Sequence, residues 1–184
     1  MTFNEIHLRN AFLIKLSPFE DERGYFVRMY CKKEFKEIGF NKEFVQVNHS
    51  LNKFRHTFRG FHYQIPPFSE TKLIRCMSGK VRDYIIDIRK NSPTFLQHFA
   101  IDLSADKAEM ILVPEGFAHG YITLEDNSGL VYFHTEFYKP GFEGGLRHND
   151  PELKINLPFN PKIISDRDTE FPLISESQFE GLVI

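Results

Sequence analysis

Short runs of alternating apolar and polar residues, separated by glycine and proline turn signals, dominate the chain. In the clearest run, 81–88, the even-numbered residues point to one face of a strand and the odd-numbered residues to the other. Ser78-Gly79-Lys80 predicts the tight turn that introduces this strand. Further predicted strands are 12–14, 44–50, 72–77, 97–102, 108–113, 120–123 and 130–137. Many short strands separated by glycine and proline turns predict a β-sandwich or a barrel.

Helical signals are few. A short helix is predicted over 32–38, where Phe35 and Ile38 share a face and Gly39 can adopt the C-terminal cap conformation. A second short helix is predicted near 175–179. No repeat, low-complexity tract or linker interrupts the 184 residues, so we expect a single, mostly β domain over 1–184.

Composition removes several classes of function. A formal charge of −2 with mixed signs provides no basic field for nucleic acid or an acidic membrane, so a phosphate-bearing ligand would need local arginines. Cys31 and Cys76 are far apart and predict no disulfide framework. Without a signal-peptide pattern or an apolar run of membrane-spanning length, we expect a cytoplasmic protein that binds neither nucleic acid nor membranes.

The segment FRGFHYQ at 58–64 is the most informative candidate for chemistry. It places His62 among aromatic residues, with Arg59 before it and the cations of Lys72 and Arg75 after it. Such surroundings suit an imidazole that removes a proton from carbon while cations stabilise the developing charge. The alternative is a core histidine that is satisfied by a backbone carbonyl.

Other motifs accompany this segment in a fixed order: DERGYF at 21–26, PEGFAHG at 114–120, Tyr132, and ISDRD at 164–168. From about Phe12 to Leu173 the chain resembles the dTDP-4-dehydrorhamnose 3,5-epimerase family of the cupin superfamily. The resemblance implies a cupin-type jelly-roll barrel, usually a homodimer that shares strands between subunits. It also implies an isomerase of deoxysugar and polysaccharide biosynthesis, without a metal or other cofactor, whose substrate is a nucleotide-diphosphate-linked 4-keto-6-deoxy sugar.

Four catalytic residues are carried over by the resemblance. His62 would be the base and Asp168 its carboxylate partner, although Asp168 alone also suits a turn. Lys72 would stabilise the enolate oxygen, with Asp83 as a possible charge partner. Tyr132 would return a proton on the opposite sugar face, although a buried tyrosine is most often a packing residue.

The expected substrate contacts extend over the whole chain. Arg23, Arg59 and Arg167 are expected at the diphosphate, because a guanidinium binds phosphate oxygens in a bidentate manner. Arg167 stands where the family usually has lysine. The resemblance adds one stacking side chain and four polar contacts: Tyr138, Gln46, Asn48, His119 and Glu143.

Arg28 departs from the family, which usually has glutamate at this position. A carboxylate can accept a hydrogen bond from thymine N3–H, whereas a guanidinium can only donate. If Arg28 faces the base, cytosine or guanine would suit it better than thymine, so we hypothesise that the nucleotide is not dTDP. The alternative is that Arg28 reaches phosphate or solvent.

Several alternative functions stay open. Epimerisation at C3 alone or C5 alone, on a CDP- or GDP-linked sugar, would need the same residues, and a 3,4-ketoisomerase fits the motifs less well. A non-catalytic sugar-binding cupin would not need all four catalytic residues. A metal-dependent cupin dioxygenase would need more ligands, because Gln64 replaces the second histidine of the usual His-x-His pair and only Glu70 and His119 could add to His62.

Overall fold

The structure, a computed structural model, describes residues 1–184 and contains thirteen β-strands and two short α-helices. The strands are β1 Thr2–Glu5, β2 Phe12–Lys15, β3 Phe19–Asp21, β4 Gly24–Phe26, β5 Gln46–Asn52, β6 Phe58–Gln64, β7 Lys72–Ser78, β8 Lys80–Asp87, β9 His98–Ser104, β10 Glu109–Val113, β11 Phe117–Thr123, β12 Ser128–His134 and β13 Glu143–Gly145. The helices are α1 Lys32–Lys36 and α2 Asp166–Glu170, and single 3-10 turns lie at Pro151–Leu153 and Ile174–Glu176.

Two antiparallel sheets form the body of the molecule. The first has six strands in the order β1-β2-β10-β7-β12-β5, and the second has five in the order β13-β6-β11-β8-β9. Strands β3 and β4 form a separate hairpin. The prediction of a mostly β fold is confirmed.

The core has three layers. Side chains of both sheets, such as Ile74 and Leu130 from one and Ile85 and Tyr121 from the other, meet in the central layer. The segment around α1 covers the outer face of the six-stranded sheet. The C-terminal part of the chain covers the outer face of the five-stranded sheet. Both sheets are therefore covered on their two faces, which buries most of their apolar residues.

The alternation predicted over 81–88 is confirmed by this layering. Val81 and Ile85 belong to the central layer, whereas Tyr84, Ile86 and Ile88 belong to the outer one. Asp83 is on the same side of β8 as Val81 and Ile85, so its carboxylate lies between the two sheets. This placement brings a buried charge into the interior of the sandwich.

The other elements agree with the predictions to different degrees. Each predicted strand is present, although β5 begins and ends about two residues later than expected and β12 ends at His134. Helix α1 is present and shorter. The prediction of a helix near 175–179 is wrong, because this segment forms only a 3-10 turn at Ile174–Glu176. Ile174 and Phe179 pack against the five-stranded sheet. The second α-helix is α2, which begins after Ser165, whose Oγ accepts a hydrogen bond from the backbone N–H of Asp168.

Candidate active site

A cavity of about 260 Å³ lies between the two sheets and is lined mainly by polar side chains. All of its lining residues belong to strands of the sandwich, so the sheets fix their positions. The lining comes from β5, β6, β7, β11 and β12: Asn48, His49, Ser50, Arg59, His62, Lys72, His119, Tyr121, Tyr132 and His134. The structure therefore brings six of the predicted site residues to one cavity.

His62 and Asp168 are in contact, although 106 residues separate them in the sequence. The Nε2 atom of His62 lies 2.7 Å from Oδ1 of Asp168, and Oδ2 accepts a hydrogen bond of 3.2 Å from the backbone N–H of Gly60. The side chain of His62 is 38% exposed, whereas that of Asp168 is 4% exposed. The carboxylate is thus enclosed behind a ring that stays open to the cavity.

The environment of Asp168 keeps it ionised. Burial alone would raise the pKa of its carboxyl group, but the hydrogen bonds and charge of His62, with the N–H of Gly60, outweigh burial and hold the pKa below its usual value. An ionised carboxylate at this position can stabilise the imidazolium that forms when His62 accepts a proton.

The C-terminal segment holds Asp168 in place through main-chain pairing. Ile163 forms a parallel bridge with Thr57, and its carbonyl accepts a hydrogen bond of 2.8 Å from the N–H of Phe58. Helix α2 follows this bridge within a few residues and directs Asp168 towards β6. The contact therefore depends on chain topology, which spacing in the sequence does not reveal.

Tyr132 and Lys72 occupy the wall opposite His62. They lie on β12 and β7 of the six-stranded sheet, whereas His62 lies on β6 of the five-stranded sheet. Burial raises the pKa of the Tyr132 phenol well above its usual value, and neighbouring Tyr121 adds to this. The phenol is therefore neutral and carries its proton. Its oxygen lies 3.2 Å from Oγ of Ser50.

The partner suggested for Lys72 is wrong. Its Nζ lies 3.3 Å from Oε1 of Glu70, whereas Oδ2 of Asp83 lies 2.7 Å from Nε2 of His119. His119 takes Asp83 because the two residues lie on paired strands β11 and β8 and are both buried. Lys72 lies on the other sheet and pairs with Glu70, two residues before it in the chain.

A second group of predicted residues lies beside the cavity. The Tyr138 hydroxyl donates a hydrogen bond of 2.8 Å to Glu143, and Arg167 lies 3.7 Å from the same carboxylate. The backbone N–H of Tyr138 donates to Oε1 of Gln46, and Nε2 of Gln46 donates to Oδ1 of Asn48 in the cavity. Most of the predicted substrate contacts therefore form one continuous surface.

Arg23 and Arg28 do not line this cavity. Arg23 pairs with Asp21 in the exposed β3–β4 hairpin. The guanidinium of Arg28 lies 3.0 Å from Glu34 on helix α1. Within one copy of the chain, these arginines therefore contact nearby carboxylates, and their contact with a ligand stays a prediction.

Sequence reasoning missed His49, Ser50, Tyr121 and His134, all of which line the cavity. A signal was present for two of them. Side chains two positions apart on a strand share a face, so Asn48 implied Ser50 and Tyr132 implied His134. His134 is bonded to Glu70, a residue considered in the sequence only as a possible metal ligand.

Each of three cavity histidines contacts a different carboxylate. His62 contacts Asp168, and His119 and His134 contact Asp83 and Glu70. No group of three or more His, Cys, Asp or Glu side chains has an arrangement that could hold a metal ion. Among the helices, none combines the length and the apolar character needed to cross a bilayer.

Comparisons with known proteins all identify the same family. The family model described as dTDP-4-dehydrorhamnose 3,5-epimerase matches residues 5–176. A protein of that name from Shigella flexneri is 41% identical over 169 residues, which cover 91% of this chain and 93% of the relative.

Solved structures give the same result. A dTDP-4-dehydrorhamnose 3,5-epimerase from Bacillus anthracis, with TDP and PPi bound, superposes with a TM-score of 0.91 at 40% identity and covers 94% of this chain and 98% of its own. A dTDP-6-deoxy-D-glucose-3,5-epimerase from Legionella pneumophila, in complex with dTDP-4-keto-L-rhamnose, superposes with a TM-score of 0.92 at 30% identity. The match covers 99% of this chain and 97% of the Legionella chain. The predicted cupin fold is confirmed by these neighbours.

Proposed function

The chain belongs to the dTDP-4-dehydrorhamnose 3,5-epimerase family, and we propose that it inverts C3 and C5 of a dTDP-linked 4-keto-6-deoxy sugar by proton transfer. The enzyme is an isomerase. One observation carries the mechanism: His62 and Tyr132 approach the same cavity from opposite sheets. A base on one side of a sugar ring and an acid on the other invert the carbon between them.

His62 starts the reaction. The C4 ketone acidifies the hydrogens on C3 and C5, because loss of either proton gives an enolate. His62 takes the proton, and the enclosed carboxylate of Asp168 stabilises the resulting imidazolium. A positioned base of this kind contributes about 10²–10⁴-fold to the rate.

Lys72 and Tyr132 complete each inversion from the opposite wall. The ammonium of Lys72, which lines the cavity, stabilises the negative charge on the enolate oxygen, because a cation held in position lowers the energy of the charge that develops beside it. Tyr132 then protonates carbon from the face opposite His62. Its raised pKa supports this role, because the phenol still holds a proton when the basic enolate carbon forms.

The substrate occupies two neighbouring regions. Asn48 and His119 line the cavity that takes the sugar, and Arg59, which also lines it, binds the diphosphate. Gln46, Tyr138, Glu143 and Arg167 form the adjoining surface, where the diphosphate and the nucleoside bind.

The nucleotide is proposed to be dTDP. The related structures hold TDP or a dTDP-sugar. The argument for cytosine or guanine requires Arg28 to face the base, but within one copy of the chain its guanidinium lies outside the cavity and pairs with Glu34. Calorimetry with dTDP, CDP, GDP and UDP tests the choice, and tighter binding of CDP or GDP would contradict it.

A homodimer explains the exposed apolar surface of the hairpin. Phe19, Tyr25 and Phe26 are 69%, 60% and 75% exposed, and Val47 and Leu51 on edge strand β5 are also exposed. Exposed apolar patches of this kind mark interfaces. A second copy that covers the hairpin would bury these rings and would place Arg23 beside another chain. Sedimentation should give a dimer for the wild type and a monomer for Phe26→Ser, and a monomeric wild type would contradict the proposal.

Solvent exchange tests the reaction itself. The dTDP-linked 4-keto-6-deoxy sugar is incubated with the protein in deuterated water, and deuterium at C3 and C5 is measured by NMR. The dTDP-linked sugar without a C4 ketone is the control and should gain none. Deuterium at both carbons supports the proposal, a single deuteron indicates epimerisation at one centre, and none indicates a sugar-binding protein.

A further inference from the structure

His134 lines the cavity and contacts the buried carboxylate of Glu70, yet the proposed mechanism uses neither residue. We propose that both are positioning residues: a directed chain of hydrogen bonds orients Asn48 and ends at Glu70, and the ion pair of Glu70 orients Lys72. The inference rests on the proposed function only in giving Lys72 and Asn48 their roles. The hydrogen bonds run from the backbone N–H of Tyr138, through Gln46, Asn48 and His134, to Glu70. Lys72 meets the other oxygen of Glu70 in an ion pair.

The direction of the chain is fixed at its outer end. A backbone N–H can only donate, so Oε1 of Gln46 must face the N–H of Tyr138, at 3.1 Å. Nε2 of Gln46 then donates to Oδ1 of Asn48, at 3.4 Å. This leaves Nδ2 of Asn48 as the group that faces Nε2 of His134, at 3.3 Å. An amide nitrogen donates, so Nε2 of His134 must accept.

The tautomer of His134 follows from this direction. In a neutral imidazole that accepts at Nε2, the proton is on Nδ1. Nδ1 of His134 lies 2.6 Å from Oε2 of Glu70 and donates to it. A proton on Nε2 would instead place two donors against each other at Asn48. Asn48 and Glu70 thus hold the His134 ring in the tautomer that carries its proton on Nδ1.

Glu70 ends the chain at the catalytic lysine. Its second oxygen, Oε1, lies 3.3 Å from Nζ of Lys72, and the side chains of all three residues are between 9% and 11% exposed. Burial alone would raise the pKa of Glu70, but Lys72 and His134 outweigh burial and lower it. The carboxylate therefore stays charged and restrains the ammonium of Lys72, while its other oxygen is held by His134.

The chain links two functions of the site. Gln46 and Asn48 belong to the surface proposed to bind substrate, and Lys72 is the proposed enolate stabiliser. Residues that fix a reacting group within a fraction of an ångström affect the rate more than the affinity. Loss of Glu70 should therefore slow the reaction, whereas loss of the acceptor at His134 should weaken the orientation of Asn48.

NMR of the ligand-free protein tests the chain without turnover. The protein is labelled with ¹⁵N-histidine at mildly alkaline pH, and His134→Asn identifies the His134 signals among those of the eight histidines. We expect a protonated Nδ1 and an unprotonated Nε2. Asn48→Asp should place an acceptor against Nε2 and add a second proton to the ring. A protonated Nε2 in the wild type, or a ring unchanged by Asn48→Asp, would overturn the chain.

Kinetics test what the chain does. Glu70→Gln should slow deuterium uptake at the sugar by about tenfold or more and leave the affinity for dTDP within about twofold. Glu115→Gln is the matched control, because Glu115 also pairs with a lysine, Lys42, but lies outside the cavity. His134→Asn keeps a donor near Glu70 and loses the acceptor for Asn48, so it should raise KM more than it lowers kcat.

The possible outcomes separate the two proposals. Wild-type exchange rates in Glu70→Gln, in a protein that folds normally, would overturn the positioning role. If Glu70→Gln does not fold, the split between KM and kcat in His134→Asn decides, and equal changes in both would overturn the role. A wild-type protein that exchanges no deuterium would refute the proposed function, while the NMR test of the hydrogen-bond chain would still apply.

Discussion

Three histidines face the cavity with a carboxylate behind each ring, yet only one of them suits a base. The side chain of His62 is 38% exposed, whereas those of His119 and His134 are 6% and 10% exposed. A general base must reach the proton that it removes, so an enclosed ring serves better to orient its neighbours. Among these three histidines, exposure therefore assigns the base role to His62, and burial assigns supporting roles to the other two. His49 also lines the cavity and is exposed, but it does not pair with a carboxylate.

Replacement of His62 tests this assignment. His62→Asn should lower deuterium uptake at C3 and C5 by about 10²–10⁴-fold, because the sugar loses its base. The affinity for dTDP, measured by calorimetry, should change by less than about twofold. His98→Asn is the control, because His98 lies on β9 and does not line the cavity. Near wild-type exchange in His62→Asn would refute the mechanism.

Tyr132→Phe should separate proton removal from inversion. The variant loses only a hydroxyl group, and Ser50 keeps its contact with Tyr121 at 3.1 Å, so the wall should keep its shape. Deuterium should still enter from the His62 side, while inverted product falls by about 10²-fold or more. Product stereochemistry by NMR is the measurement.

The control for this variant is Tyr84→Phe. The Tyr84 hydroxyl is buried, has no hydrogen-bond partner and lies outside the cavity, so its removal should leave activity unchanged. Inverted product from Tyr132→Phe at the wild-type rate would show that another acid returns the proton.

Single residues were predictable where a motif fixed them and unpredictable where the fold chose a partner. The motifs indicated His62 and Asp168, and the structure brings them into contact. They could not indicate the partner of Lys72, because that depends on which strands are neighbours: His119 on the paired strand β11 binds Asp83, and Lys72 pairs with Glu70. Arg28 illustrates the same limit, since its contact with Glu34 depends on the path of the segment that leads into α1.

At the level of elements, the close approach of β6 and β11 sets the spacing of the site. His62 and His119 are directly paired between these strands. Gly60 has a φ of +134°, and a Cβ there would lie 2.5 Å from Cα of Gly120. Real Cβ atoms do not tolerate such a distance to backbone. The glycine pair therefore allows the two strands to hold the His62 and His119 rings side by side.

Gly60→Ala should disturb both stability and activity. The new methyl group must push β11 away, and the positive φ adds strain of about 1–2 kcal/mol. We expect the free energy of unfolding to fall by more than about 3 kcal/mol, in the range of overpacked cores with added strain. Urea unfolding with circular dichroism is the measurement.

Gly39→Ala is the control, because Gly39 has a φ of +80° and open space around it. It should show only the strain of about 1–2 kcal/mol. Equal losses in Gly39→Ala and Gly60→Ala would show that backbone conformation, and not the close approach of the strands, limits position 60.

The elements that escaped prediction lack a periodic signal. Strand β6 is buried on both faces for most of its length, so its sequence does not alternate between polar and apolar residues. Strands β3, β4 and β13 have three residues each, and α2 has five. Such lengths are too short for a period of two or 3.6 to be read. Strand β8 was predictable because its two faces pack against different layers.

At the level of the whole molecule, the layers around the sandwich depend on contacts between distant segments. The α1 segment packs Phe35 against Phe3, Tyr30 and Phe40 on the outer face of the six-stranded sheet. Nothing in the local sequence pattern indicated which segment covers which sheet. That assignment follows from chain topology.

Buried carboxylates connect this architecture to pH. Asp87 accepts hydrogen bonds from Arg89, Ser92 and Thr94 and closes the loop between β8 and β9. Burial alone would raise the pKa of its carboxyl group, but these bonds outweigh burial and lower it. The pKa values of Glu70 and Asp168 are lowered in the same way. All three groups therefore bind protons less readily in the folded state than in the unfolded state.

The sign of the pH dependence follows from these lowered values. A carboxylate with a lowered folded-state pKa contributes its full stability above the unfolded-state pKa, which is about 4 for Asp and Glu. The contribution is lost as pH falls through the folded-state pKa. Near neutral pH, these three groups should therefore not make the free energy of unfolding depend on pH. Below about pH 4 they should make it decrease as pH falls.

Asp87→Asn should change this profile in a defined way. At neutral pH the variant leaves Arg89 without its buried partner and should lose about 3 kcal/mol. Below about pH 4 the difference from wild type should shrink, because the wild type then protonates Asp87 as well. Glu180→Gln is the control, since Glu180 pairs with Lys90 at an exposed site and should leave the profile unchanged. Urea unfolding from neutral pH to about pH 3 measures all three proteins, and a difference between Asp87→Asn and wild type that grows as pH falls would contradict the assignment of Asp87.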